Sequence, residues 1–164
     1  MKSLLRALLA CLLLAGGSVR GEEAVASAEA VVARHAGYAF ERPDLLLRQR
    51  IFGLAHGVHL LLSGCLDKDA NTEGVQQAYD AWHAAQHAAL EGVRVMLAEH
   101  HFGARATEAH WQDIARALGL KETIYPSLGT VSLQEACATL PQALTQPRYD
   151  FARQLEMNDE SAKQ

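Results

Sequence analysis

The feature that most constrains this chain is a polar octet, DKDANTEG at residues 67–74, set between two long segments whose apolar residues recur at helical spacing. In the first segment, from about Pro43 to Leu66, Leu47, Ile51, Leu54, Val58, Leu62 and Cys65 share one stripe. Pro43 suits the first position of a helix, because its missing N–H would be unsatisfied there in any case. In the second, from about Val75 to Phe102, the stripe is Val75, Tyr79, Trp82, Ala89, Val93 and Met96, and Gly103 supplies a stop. Two apolar-faced helices joined by a short polar turn fold back on each other. The pattern therefore predicts a long antiparallel helical hairpin.

No strand pattern competes with it. ETIYPSLGTVSL, residues 122–133, comes nearest, and Pro126 and Gly129 interrupt it. A further helix is expected from about Glu22 to His35, with Glu22 and Glu23 at its positive end and Gly37 as its stop. Another is expected over Thr107–Leu118, with Trp111, Ile114, Ala115 and Leu118 on one side and Gly119 after it. Residues 121–131 read as a loop. SLQE reads as a capping box, with Ser132 as cap and Glu135 reaching back. Pro141 and Pro147 should divide the rest of the chain into short helical pieces. The expected fold is all-α: a small helical bundle of residues 22–157 around the central hairpin, with a disordered tail at 158–164.

The N-terminus carries an address. MKSLLR supplies Lys2 and Arg6, ALLACLLLAGG is an unbroken apolar run, and a small, polar stretch comes after it. That order is the n-, h- and c-region pattern of a secretory signal peptide. Residues 1–21 are expected to be removed; cleavage after Ala26 is the alternative, and a short uncleaved anchor is the competing reading. The apolar run is about half the ~20 residues that cross a bilayer. The expected location is periplasmic or secreted, without stable membrane insertion after cleavage. Removing residues 1–21 takes away Lys2, Arg6 and Arg20 and no acid, so the net charge moves from −4 to −7. An acidic chain without a basic run is a poor partner for nucleic acid.

Cys65 and Cys137 are the two cysteines left after such cleavage. An even count in an oxidising compartment points to one disulfide, with two buried thiols as the alternative. There is no C-x-x-C and no C-x-x-C-H, so no haem-attachment motif.

Histidine is the residue type that carries most chemical interest. HAAQH, His83 to His87, has the spacing that places two imidazoles on one helix face. It resembles the H-x-x-E-H pattern of inverzincin metallopeptidases except at one residue. Gln86 stands where that family has its glutamate base, and an amide cannot take the proton. At about 100° per residue, His59 and His56 lie about 100° and 160° from their stripe's centre, and His83 and His87 about 100° and 140° in the same sense. Positions paired across the hairpin sum to about 141. His56, His59, His83 and His87 are therefore expected on one face, with Ser63 and Asp80 nearer the turn. Three readings stay open. The face is a solvated helix surface; or two or three of the histidines hold Zn²⁺, Cu²⁺ or Ni²⁺; or the imidazoles form a pH-responsive binding patch.

The other candidates are plainer. Trp82, Tyr79 and Trp111 read as core. His35 and His110 read as partly exposed helix residues. His100 and His101 suit the negative end of their helix, with a dipole or solvent role. RQR at 48–50 reads as a solvated helix start. Asp67 and Asp69 lack the calcium-loop offsets. No G-x-S-x-G and no phosphate-binding glycine loop occurs. The expected function is that of an exported, non-enzymatic helical binding protein, such as an inhibitor, assembly partner or chaperone, whose partner is another protein. The alternative is a transition-metal-binding protein that uses the histidine face.

Overall fold

A computed structural model describes residues 31–68, 72–161 and 163. The expected signal peptide, its cleavage sites and most of the helix expected from Glu22 lie outside the described residues. Six α-helices occur among the described residues: α1 Pro43–Lys68, α2 Glu73–Phe102, α3 Trp111–Ala117, α4 Tyr125–Leu128, α5 Leu133–Leu144 and α6 Phe151–Ser161. Two 3₁₀ turns, Gly103–Glu108 and Pro147–Tyr149, join them, and there is no strand among these residues. None of the described helices is long and apolar enough to cross a membrane.

The two long helices start and stop where the sequence places them. Four residues separate α1 from α2, and His59 touches both Tyr79 and His83, which lie comparably far from that connection. The helices therefore run back along each other. Gly103 ends α2 at φ 58°, a left-handed conformation that costs glycine little, and its N–H donates to the Glu99 carbonyl. α2 is the hub, packed against α1, α3, α5 and α6.

The buried faces are wider than the expected stripes. On α1, Ile51, Val58, Leu62 and Cys65 are buried as expected, but so are Leu45, Gln49, Phe52, Ala55 and His56, while Leu54 is 38% exposed. On α2, Trp82 and Val93 are joined by Gln86, Leu90 and Leu97, and Met96 is left outside. A single stripe presumes one neighbour. Here Trp111 of α3 lies flat on Phe52, ring centroids 4.0 Å apart, and covers a second side of α1.

Residues 31–42 form no helix, so the expected end of a helix at His35 is overturned. The backbone donors of this segment go outward instead of up a helix. Arg34 N donates to His101 O (2.6 Å), Gly37 N to Ala117 O (2.7 Å) and Ala39 N to Gln49 Oε1 (2.8 Å). Gln49 also donates to Gly37 O at 3.2 Å. The middle of RQR is thus a fully buried clamp, not a solvated helix start. His101, expected at the solvent end of α2, is likewise fully buried, with Nδ1 2.6 Å from His35 O.

Three differences fall in the C-terminal half. The expected loop 121–131 contains the single turn of α4. α5 runs through Pro141, which forfeits the helical bond to the Cys137 carbonyl; burial of Leu140 and Leu144 on either side keeps the helix continuous. α6 continues through Ser161, past residue 158 where a disordered tail was expected. Ser132 does cap α5, its Oγ accepting from Glu135 N at 3.1 Å. Cys65 and Cys137 are joined as a disulfide, Cα atoms 5.7 Å apart, which ties α1 to α5.

Candidate functional site

Where α1 passes under α3 there is an open cavity of about 560 Å³. Leu60, Ala115, Leu120 and the Trp111 ring make its apolar wall, and His56 and His59 also line it. Gln112, Arg116, Lys121 and Glu122, all exposed, stand at the rim. Arg116 is already paired, donating to Asp113 Oδ1 at 2.6 Å. Asp113 is held in turn by accepting from His110 N at 2.9 Å, which begins α3.

His56 is locked into this wall. Trp111 Nε1–H donates to its Nδ1 at 3.0 Å, which requires that Nδ1 be unprotonated. Nε2 then carries the proton and donates to Lys121 O at 2.8 Å. Both ring nitrogens are spent on holding α3 and the 121 backbone onto α1. His56 was expected on the far side of α1 from the core; the structure buries it because α3 covers that side.

His59 sits one turn further along, wedged between elements. Its ring lies 4.9 Å from Trp111, 5.7 Å from Tyr79 and 5.9 Å from His83, centroid to centroid. Burial, then the neighbouring His83 and His56, push its pKa down to about 4, so the ring is neutral near pH 7. Its Nε2 is buried and has no hydrogen-bond partner among the described residues.

The remaining pair lies on α2. His83 stacks on Tyr79, centroids 5.6 Å apart and planes 15° from parallel, and His87 comes next at 5.7 Å from His83. His59, His83 and His87 thus form a continuous row of rings, and His56 is separated from it by its bonds to Trp111 and Lys121. Ser63 and Asp80 are exposed, with Asp80 accepting from Gln76 at 2.7 Å. Among the described residues no three His, Cys, Asp or Glu side chains are placed to hold a metal ion together.

A second group of histidines was not foreseen. His35 and His100 stack at 5.0 Å, and His100 meets His101 edge-on at 4.8 Å. Burial lowers the pKa of both His100 and His101. The cavity itself was also missed: Leu60, Leu120, Lys121 and Glu122 belong to no motif, and the one signal was Trp111, read as core. Gln86 of HAAQH points to another use altogether. It is buried, and its Oε1 accepts from Phe151 N at 2.8 Å and Ala152 N at 3.1 Å at the start of α6. No family model matches this chain, nor does any curated protein or solved structure.

Proposed function

We propose that this chain is an exported, non-enzymatic helical binding protein, and that its partner protein docks by seating an apolar or aromatic side chain in the cavity between α1 and α3. The observation that carries this reading is the cavity itself. A volume of about 560 Å³ walled by Leu60, Trp111, Ala115 and Leu120 is of the size and lining that bind compact apolar groups. Aromatic anchors in such pockets dominate the energy of many interfaces. Lys121 on the rim favours an acidic flank on the partner.

Two features support binding over catalysis. The lining contains no Ser, Thr or Cys nucleophile, and His56 has both nitrogens engaged and cannot shuttle a proton without releasing α3. The disulfide and the N-terminal charge and hydropathy pattern support an oxidising, extracytoplasmic setting.

The test uses anilinonaphthalene sulfonate, an aromatic anion, as a surrogate anchor, titrated into the protein at neutral pH. One-site saturable binding is expected, with the emission of Trp111 changing in step. Leu60→Trp, which fills the cavity from a half-buried position, should abolish it while the helical circular dichroism persists. Lys121→Glu should weaken it about tenfold. Absence of saturable binding, or binding unchanged in a folded Leu60→Trp variant, would refute the reading.

A further inference from the structure

We propose that His83 and His87 form a two-histidine site for a divalent late transition ion, Cu²⁺ most tightly, on the outer face of α2. The site is separate from the cavity, whose lining includes neither residue.

The spacing is the first argument. Residues four apart on a helix stand one above the other, and these two rings have centroids 5.7 Å apart. With metal–nitrogen distances of about 2.0 Å, two imidazoles in adjacent positions of the tetragonal geometry that Cu²⁺ prefers have their centroids about 4.5 Å apart. A small rotation of His87, the exposed member, closes that gap.

Availability is the second. Neither His83 nor His87 makes a hydrogen bond to another described residue, whereas His56 has both nitrogens occupied and His101 has one. The Tyr79 ring backs His83 and restricts its orientation, which lowers the entropy lost when the ion binds. The carboxylates three and four residues from the pair along α2 are hydrogen-bonded to other side chains, although the charges of Glu91 and His87 still act on each other. Glu91, one turn beyond His87, holds Arg94 through both oxygens at 2.7 and 2.9 Å, and Asp80 accepts from Gln76. The protein thus supplies two imidazoles and leaves the other coordination positions to water or to a donor from outside the chain.

The donor set selects the ion. Imidazole nitrogens favour Cu²⁺ over Ni²⁺ and Zn²⁺ in the ordinary affinity order, and they do not suit Ca²⁺ or Mg²⁺. Because chelation clamps one turn of α2, the ion should raise the melting temperature.

The experiment is a Cu²⁺ titration of the purified protein at about pH 7.5 in a non-coordinating buffer, monitored by electron paramagnetic resonance and by thermal unfolding. About one equivalent should bind, with superhyperfine splitting from two imidazole nitrogens and a rise in melting temperature. His87→Ala, at an exposed position, should weaken binding at least about tenfold, and His83→Gln should do the same. His100→Ala should leave it unchanged. The proposal is overturned if no saturable binding occurs, if binding survives both α2 variants, or if His100→Ala is the change that removes it. Dye binding in the cavity should be intact in His87→Ala, so this site and the partner seat can fail separately.

Discussion

The Gln86 amide oxygen accepts from two successive backbone donors, Phe151 N and Ala152 N, so a residue in the middle of α2 caps the first turn of α6. A helix start leaves its first N–H groups without intrahelical partners. α6 begins at the fully buried Phe151, where water cannot supply the first of them. Gln86→Leu would strip both donors of their acceptor inside the core. The expected loss is about 1–3 kcal/mol of unfolding free energy, measured in urea. Gln86→Glu keeps an acceptor and adds the negative charge a helix N-terminus favours, so it should be the milder change. Equal stability of Gln86→Leu and the parent would show the cap to be dispensable.

His56 and Trp111 form the second long-range polar contact to be tested. Trp111→Phe removes the N–H donor and leaves His56 Nδ1 without it; His56→Leu leaves both Trp111 Nε1–H and Lys121 O unpaired. The first should cost about 1 kcal/mol and the second about 2–4 kcal/mol. Because the partners share one bond, the double variant should lose less than the sum, with a coupling of about 0.5–2 kcal/mol. Strict additivity in a double-mutant cycle would mean that the bond contributes nothing.

These two contacts also mark the boundary of what the sequence discloses. Helical period, the Gly103 stop and the Ser132 cap are local signals, and they place α1, α2 and the start of α5 within a few residues. The joining of Cys65 to Cys137 was expected from the even count and the address pattern read at the N-terminus, although 72 residues separate them. Gln49, Gln86, His56 and His101 are different. Gln49, His56 and His101 are polar residues that a one-stripe view leaves wet, whereas Gln86 lies on the α2 stripe itself; each is buried because a segment outside its own helix shares its hydrogen bond. Polarity alone does not distinguish a side chain facing water from one facing an unpaired backbone group. The cavity escapes a local reading for the same cause: its wall joins α1 to α3 and the chain after Gly119, which no local pattern connects. The row of His59, His83 and His87 was legible because all three lie on the two helices whose register a single turn determines.

Reduction should reveal how much the Cys65–Cys137 bridge contributes. Both cysteines are buried, and the bridge closes a long loop between α1 and α5. In the chain-entropy treatment a loop of that length stabilises the fold by about 4 kcal/mol. Cys65→Ala/Cys137→Ala should therefore lower the urea midpoint substantially, and the parent should match that variant once a strong reductant is present. α5 also loses a helical bond at Pro141, so its amide hydrogens should show the largest gain in exchange when the bridge is gone. A double variant as stable as the oxidised parent would contradict this.

Mild acid should weaken the fold before the carboxylates titrate. His59 is held neutral by burial and by the neighbouring His83 and His56, with a folded pKa of about 4 against an ordinary value of 6.5. His101 is shifted in the same direction, chiefly by burial. In both cases the unfolded chain binds the proton more readily, so their contribution is complete above about pH 6.5 and is lost as pH falls below it, for His59 toward its folded value of about 4. His59 keeps some contact with solvent, and screening reduces its share to about 1–2 kcal/mol. Glu91, held low chiefly by its hydrogen bond from Arg94, adds to the loss only below its ordinary value of 4.5. Urea unfolding at about pH 7.5, 6 and 5 should therefore show a progressive decline already present at the middle value. His59→Phe, which retains an aromatic ring between Trp111 and Tyr79 but has no proton to bind, should make that dependence shallower, leaving the shares of His100 and His101. A flat profile in the parent between those values would mean that neither imidazole is kept neutral by the fold.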